Sequence, residues 1–183
     1  MNLALVKIFR IMRKLGNRRK LFHVFTTQFF SRLEDEGVSS ITSWTAKKGI
    51  DIFEKRFIFI PVNKDIHWSL LVVVNPGKIC DFYDATELEC SEEEPLERER
   101  EFPFILFMDS LRAHKKSKMK TLVYEWLNSE AKRLGKFQTC VGTKAGVFNN
   151  VTMPIIDPKG KFVFKNLLFV CCVYIFSIFV LIH

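Results

Sequence analysis

The sequence predicts an α+β domain, a mixed β-sheet with helices packed on it. Three observations lead there. Helix-period apolar patterns at 21–33 and 119–134 enclose the middle of the chain, β-branched and aromatic runs lie between them, and one of those runs, Leu70 to Val74, shows no polar alternation. An apolar strand without alternation has to be covered on both faces, as happens when helices flank a sheet.

In LFHVFTTQFFSRL (21–33), Phe22, Phe25, Phe29 and Leu33 fall at three- and four-residue steps, which predicts a helix with one apolar face. SITSW (40–44) offers Ser and Thr caps for a short helix, and Gly49 supplies a break after it. RFIFIPVN (56–63) and HWSLLVVVN (67–75) predict two adjacent strands joined across Lys64, Asp65 and Ile66, the second stopped by Pro76 and Gly77. KICDFYD (78–84) reads as a third, shorter strand. The acidic stretch 87–101 has little to bury and reads as an exposed excursion, after which FPFILFMD (102–109) returns as a strand. MKTLVYEWLNSEAKRL (119–134) mixes Leu122, Tyr124, Trp126, Leu127 and Leu134 with charges at helical spacing, and Gly135 stands where a helix end favours glycine.

The 183 residues suffice for one domain with a real core. The net charge of +8 is unevenly placed: residues 7–20 hold seven basic side chains and no acid, whereas 87–101 are strongly acidic. Without a recognition-helix, zinc-finger or RNP pattern beside it, the basic run reads as a solvated flank, with a nuclear address or polyanion contact as the sharper alternative. Five cysteines (Cys80, Cys90, Cys140, Cys171, Cys172) form no spaced framework and no secretory leader opens the chain, which points to a reducing, intracellular compartment. The absence of CxxC, HExxH and Gly-rich phosphate loops argues against a metal or nucleotide cofactor.

The chemistry gathers at IPVNKDIHWSLLVVVNPG. His67 opens a buried strand and is followed at once by Trp68, a place suited to a general base shielded from water. A lone strand-end His is more often structural, so an acid partner matters. Asp84 and Asp109, 17 and 42 positions further on, each close a strand that could neighbour it. Either carboxylate could fix the imidazole tautomer, and either could instead serve a turn or cap.

The motifs WTxKxxxDIFxK (44–55), FIFIPVNxxxHWSLLVVxNPG (57–77), an acidic insertion and FPFILFMDSL (102–111) occur in this order. Over about residues 20–158 the chain resembles the ubiquitin-like-protein-specific (SUMO, or sentrin) cysteine proteases, in the divergent branch with an insertion between the His and Asp motifs. The most specific pieces are His67-Trp68-Ser69-Leu70 and Met108-Asp109-Ser110-Leu111. The resemblance implies a papain-like cysteine protease fold, a central mixed sheet flanked by helices, that removes SUMO or a related modifier from lysines or trims its precursor in the nucleus. It implies His67 as catalytic base, Asp109 instead of Asp84 as the acid, and Trp68 lining the tunnel for the modifier's Gly-rich C-terminus. No metal and no cofactor are implied, and the partners are SUMO and SUMO-conjugated proteins.

The resemblance stops near Pro158. The family pattern places a Gln and then an Asp-Cys-Gly motif beyond that point, at a helix start that lowers the thiol pKa. Here the sequence reads KGKFVFKNLLFVCCVYIFSIFVLIH, with no Gln after Gln138 and no Asp-Cys-Gly anywhere, and neither Cys171 nor Cys172 has a nearby acid, Gly or cap. The expectation is therefore a C-terminally truncated domain: a basic flank (1–20), a partial protease domain (21–158) and an aberrant apolar tail (159–183). The run Leu167 to Ile182 reads either as a membrane anchor, short of the roughly 20 residues of a straight span, or as retained intron, its residues matching thymine-rich codons. On this reading the chain descends from a SUMO protease and is inactive as it stands. The alternatives are a SUMO-binding module without activity and a membrane-anchored protein.

Overall fold

The computed structural model describes residues 20–81, 102–109, 113–138 and 146–157. Leu21–Asp157 form one compact unit. The expected basic flank and apolar tail, with Leu167 and Ile182, lie outside the described residues, as do Asp84, the 87–101 excursion, Ser110 and Leu111.

Five strands pair in chain order: β1 (Phe22–Val24), β2 (Phe57–Lys64), β3 (His67–Val74), β4 (Phe104–Met108) and β5 (Ile155–Ile156). The two outer pairings are parallel and the two inner ones antiparallel, so the sheet is mixed. Among the described residues three α-helices accompany it: α1 (Thr27–Glu36), the short α2 (Thr42–Ala46) and α3 (Lys116–Leu134).

Strand β3 carries the register. It pairs with all of β2, from Phe57↔Val74 to Lys64↔His67, and with β4 from Leu70↔Met108 to Val74↔Phe104. Ser69 to Val74 are all buried, as the unalternating run requires. Alternation sends Ile58, Ile60, Val62, Leu71, Val73, Ile105 and Phe107 into the core shared with α1 and α3.

There Phe25 stacks on Phe29 at 3.8 Å, and both meet the fully buried Trp126 edge-on. Each such side chain contributes about 1.5–3 kcal/mol by burial. The Trp126 indole N–H has no hydrogen-bond partner among the described residues, an uncompensated polar group of about 1–3 kcal/mol.

The start of the chain differs from its prediction. Phe22–Val24 is a strand parallel to β2, and the helix begins only at Thr27. The apolar spacing is kept from Phe25 onward, where Phe25, Phe29 and Leu33 are buried. Phe22 instead lies against the sheet, its ring stacked 5.3 Å from Phe57 and 6.2 Å from Phe59. Those aromatic pairs, with Arg56 N–H donating to the Leu21 carbonyl, favour the extended form over a first helical turn. The third predicted strand also fails where it is described: Pro76–Lys78 is a 3₁₀ turn and residues 79–81 continue helically. Pro76 at the first turn suits a helix start better than a strand.

The Asn-Pro-Gly turn ending β3 is held by close packing. Asn75 takes a left-handed conformation (φ 49°), and its amide donates to the Phe102 carbonyl at 3.3 Å. A Cβ on Gly77 would lie 2.1 Å from the Phe53 carbonyl oxygen. Backbone cannot yield to that contact as a side chain could. At the far end of the core, Tyr124 donates its hydroxyl to the Met153 carbonyl at 2.6 Å, tying α3 to the segment that enters β5, and burial pushes the phenol up to about 12.

Gly77→Ala should lower stability by roughly 2–4 kcal/mol, since the turn must move as a whole. Tyr124→Phe, which removes one buried hydrogen bond and no volume, should cost about 1–2 kcal/mol. Urea unfolding followed by tryptophan fluorescence measures both, and equal losses would contradict this ordering.

Candidate active site

The β2–β3 hairpin turns through two residues, Asp65 and Ile66, both with positive φ (53° and 60°). Such a turn matches the right-handed twist of the strands it joins. Asp accepts this conformation readily, whereas β-branched Ile does so at a steric cost, and Ile66 is fully exposed. The turn delivers His67 as the first residue of β3, on the face that carries Ser69, Leu71 and Val73.

Asp109 follows the last residue of β4. Because Leu70 pairs with Met108, Asp109 falls opposite Ser69 and diagonal to His67 on the same face. Its Oδ1 lies 2.6 Å from His67 Nε2. The carboxylate side chain is 1% exposed and the imidazole 11%. Burial opposes the Asp109 charge, but the His114 backbone N–H at 2.9 Å, the His67 hydrogen bond and nearby positive charge outweigh it and hold the carboxyl below its ordinary value. An ionised carboxylate only accepts, so His67 carries its proton on Nε2. That leaves Nδ1 as the basic nitrogen, and Nδ1 has no hydrogen-bond partner among the described residues.

Trp68 points to the opposite face of β3, half-buried beside its strand partner Asn63. His67 and Asp109 are thus brought together, and Trp68 is adjacent in sequence but on the other side of the sheet. Sequence reasoning missed His114, whose Nδ1 is 2.8 Å from Ser69 Oγ and whose Nε2 is 3.2 Å from the Lys64 carbonyl oxygen. Its ring centroid stands 4.9 Å from that of His67. The available signal was a second His five residues after Asp109, with nothing in its Lys-rich surroundings to single it out.

His67, Asp109 and His114 each offer a ligand atom, all within 4.8 Å. Both ring nitrogens of His114 are already engaged, by Ser69 and the Lys64 carbonyl, and His67 Nε2 by Asp109, so a cation held by all three residues would have to displace at least one of these hydrogen bonds. Cys80 is disulfide-bonded and supplies no thiol to this site.

An imidazole with one nitrogen unengaged and the other held by a buried carboxylate has the geometry that a general base beside a nucleophile requires. The pattern of the Ulp1 protease family, C-terminal catalytic domain, matches residues 5–150. The chain belongs to this family. Among its relatives in Arabidopsis thaliana, the probable ubiquitin-like-specific protease 2B is 35% identical over 127 residues, covering 63% of this chain and 12% of the relative. The probable ubiquitin-like-specific protease 2A is 26% identical over 156 residues, covering 79% of this chain and 18% of that protein. The chain therefore spans less than a fifth of the length of either relative.

Among solved structures, a de-sumoylating protease superposes with a TM-score of 0.54 at 21% identity, over 84% of this chain and 49% of that one. The C-terminal Ulp1 protease domain in complex with SMT3, the yeast orthologue of SUMO, gives 0.53 at 16% identity, over 97% and 65%. The fold is that of the Ulp1-type, papain-like protease domain. Among the described residues no helix is long and apolar enough to cross a membrane.

Two acids hold protons less readily in the folded chain. Burial opposes the charge of Glu34, but hydrogen bonds from Lys118 and Lys64, both 2.7 Å away, bring its carboxyl below the usual value. Asp109 is lowered likewise. A depressed folded pKa contributes stability that is present above the unfolded value and is lost as pH falls through the folded one. Urea midpoints measured from about pH 6 down to about pH 3 should fall on the acid side. The Glu34→Gln, Asp109→Asn double variant should show a flatter acid limb, and an unchanged slope would remove these two acids from the account.

Proposed function

We propose that this chain carries the base–acid half of a cysteine-type isopeptidase acting on SUMO or a related ubiquitin-like modifier. The observation behind the reading is the 2.6 Å contact from His67 Nε2 to a sealed Asp109 carboxylate in a domain of this family. His67 Nδ1 takes the proton of a cysteine thiol. The thiolate attacks the modifier's C-terminal Gly carbonyl, the imidazolium returns the proton to the departing lysine amine, and water then hydrolyses the thioester. Asp109 holds the tautomer and stabilises the imidazolium.

Trp68, on the opposite face of the strand, lines the passage for the modifier's tail, and a passage narrowed by an aromatic side chain admits Gly-rich chain in preference to bulkier residues. A nuclear site of action belongs to the same proposal. A second reading, a modifier-binding module without turnover, is favoured by one observation: Asp-Cys-Gly does not occur in these 183 residues.

A SUMO-vinyl-sulfone probe distinguishes the two readings. The 183-residue chain should bind SUMO without labelling, and a version carrying an added Gln and Asp-Cys-Gly segment should label. In that version His67→Gln should slow labelling by about 10²–10⁴-fold, the usual contribution of a general base. Trp68→Ala should raise the concentration for half-maximal labelling roughly tenfold, as expected for a buried aromatic contact. Labelling insensitive to His67 would sink the base assignment, and absence of SUMO binding by either version would sink the substrate class.

A further inference from the structure

Five residues beyond Asp109, the His114 ring is held at both nitrogens. Its Nε2 faces the Lys64 carbonyl oxygen at 3.2 Å, and a carbonyl only accepts, so Nε2 carries the proton. Nδ1 is then a lone pair, and it accepts from the Ser69 hydroxyl at 2.8 Å. Ser69 is 1% exposed, in the buried part of β3, and Lys64 is the last residue of β2, so the two anchors lie on the two strands of the hairpin that presents His67. With its ring pinned there, His114 has its backbone N–H 2.9 Å from Asp109 Oδ2, while Asp109 Oδ1 meets His67 Nε2 at 2.6 Å.

We infer that His114 is a positioning residue: anchored through its ring on Ser69 and the Lys64 carbonyl, it aims its main-chain N–H at Asp109 and so fixes which carboxylate oxygen His67 receives. This rests on the reading of His67 and Asp109 as base and acid. The division of labour is specific. The ring makes no hydrogen bond to the carboxylate; it sets the backbone that does. Replacing the side chain leaves the N–H present but unheld, which weakens its grip on Asp109 Oδ2. The second anchor explains why a Ser occupies an otherwise apolar strand: without it, the buried face of Nδ1 would have no donor.

Nitrogen-15 and proton NMR of the full chain tests this. His67 should show an Nε2–H tautomer and a downfield Nε2–H proton exchanging slowly with water. In His114→Ala, and independently in Ser69→Ala, which removes one anchor and little volume, that proton should exchange roughly tenfold faster or more, about one net hydrogen bond. The two ring nitrogen shifts of His67 should also move toward each other as the second tautomer appears. His114→Asn, which can still accept from Ser69, should recover part of the protection. Asp109→Ala serves as the reference. If it changes the His67 signals while folded His114→Ala and Ser69→Ala leave them as in the parent chain, the role of His114 is refuted and the base–acid pair stands. If Asp109→Ala itself changes nothing, the pair fails and His114 with it. Should His114→Ala not fold, Ser69→Ala decides.

Discussion

Strand β3 is hydrogen-bonded along both edges, and the site exists because of that constraint. Its pairing with β2 fixes where the hairpin turns and so which residue stands first at the mouth; its pairing with β4 fixes where Asp109 emerges. Side chains alternate with period two, so a one-residue slip on either edge would move His67 or Asp109 to the wrong face. The apolar run opposes such a slip. Leu71 and Val73 are fully buried on the core face, as is Val72 on the other, and a slip would exchange the two faces. The packing that makes the strand stable is therefore also what brings an imidazole and a carboxylate, 42 residues apart, to 2.6 Å.

Charged groups reinforce the same end of the sheet. Glu34 on α1 receives Lys64 of β2 and Lys118 of α3 at 2.7 Å each, so one carboxylate spans a strand and two helices close to where the hairpin opens. The lysines are well exposed, which limits each pair to a few tenths of a kcal/mol. Lys64 is also the residue whose backbone carbonyl receives His114, and its main chain is held by pairing with His67. Deeper in the fold, Glu130 is 1% exposed and holds Thr45 of α2 at 2.9 Å and Arg133 at 2.7 Å. Loss of either partner would leave a buried charge undersatisfied, a larger penalty than any surface pair incurs.

The elements that sequence reasoning recovered are those whose signal is intrinsic to the segment. Strands β2, β3 and β4 declare themselves by β-branched runs bounded by turns, and α3 by its helical spacing and by Gly135, which adopts a left-handed cap at φ 65°. Strand β1 did not, because Phe22 and Phe25 are three apart and fit a helical face as well as an extended start; the choice is made by Phe57 and Phe59, more than thirty residues on. Strand β5 has two residues and no periodicity to read. Of the site, His67 stood out through its strand, but the residues alone left Asp84 and Asp109 open, and only the resemblance separated them. His114 was illegible because every partner of its ring lies 45 to 50 residues earlier.

The described contacts of the His67–Asp109 pair come from one sheet and the segment leading into α3. A thiol brought by any later segment would meet a base already oriented, with its tautomer chosen before the nucleophile arrives. Preorganisation of this kind lowers the reorganisation needed during the reaction. It also separates two properties that are usually lost together. The His67–Asp109 geometry depends on the register of β3 and can be complete in a chain that performs no chemistry, so an intact pair reports the fold's competence, and turnover reports the nucleophile.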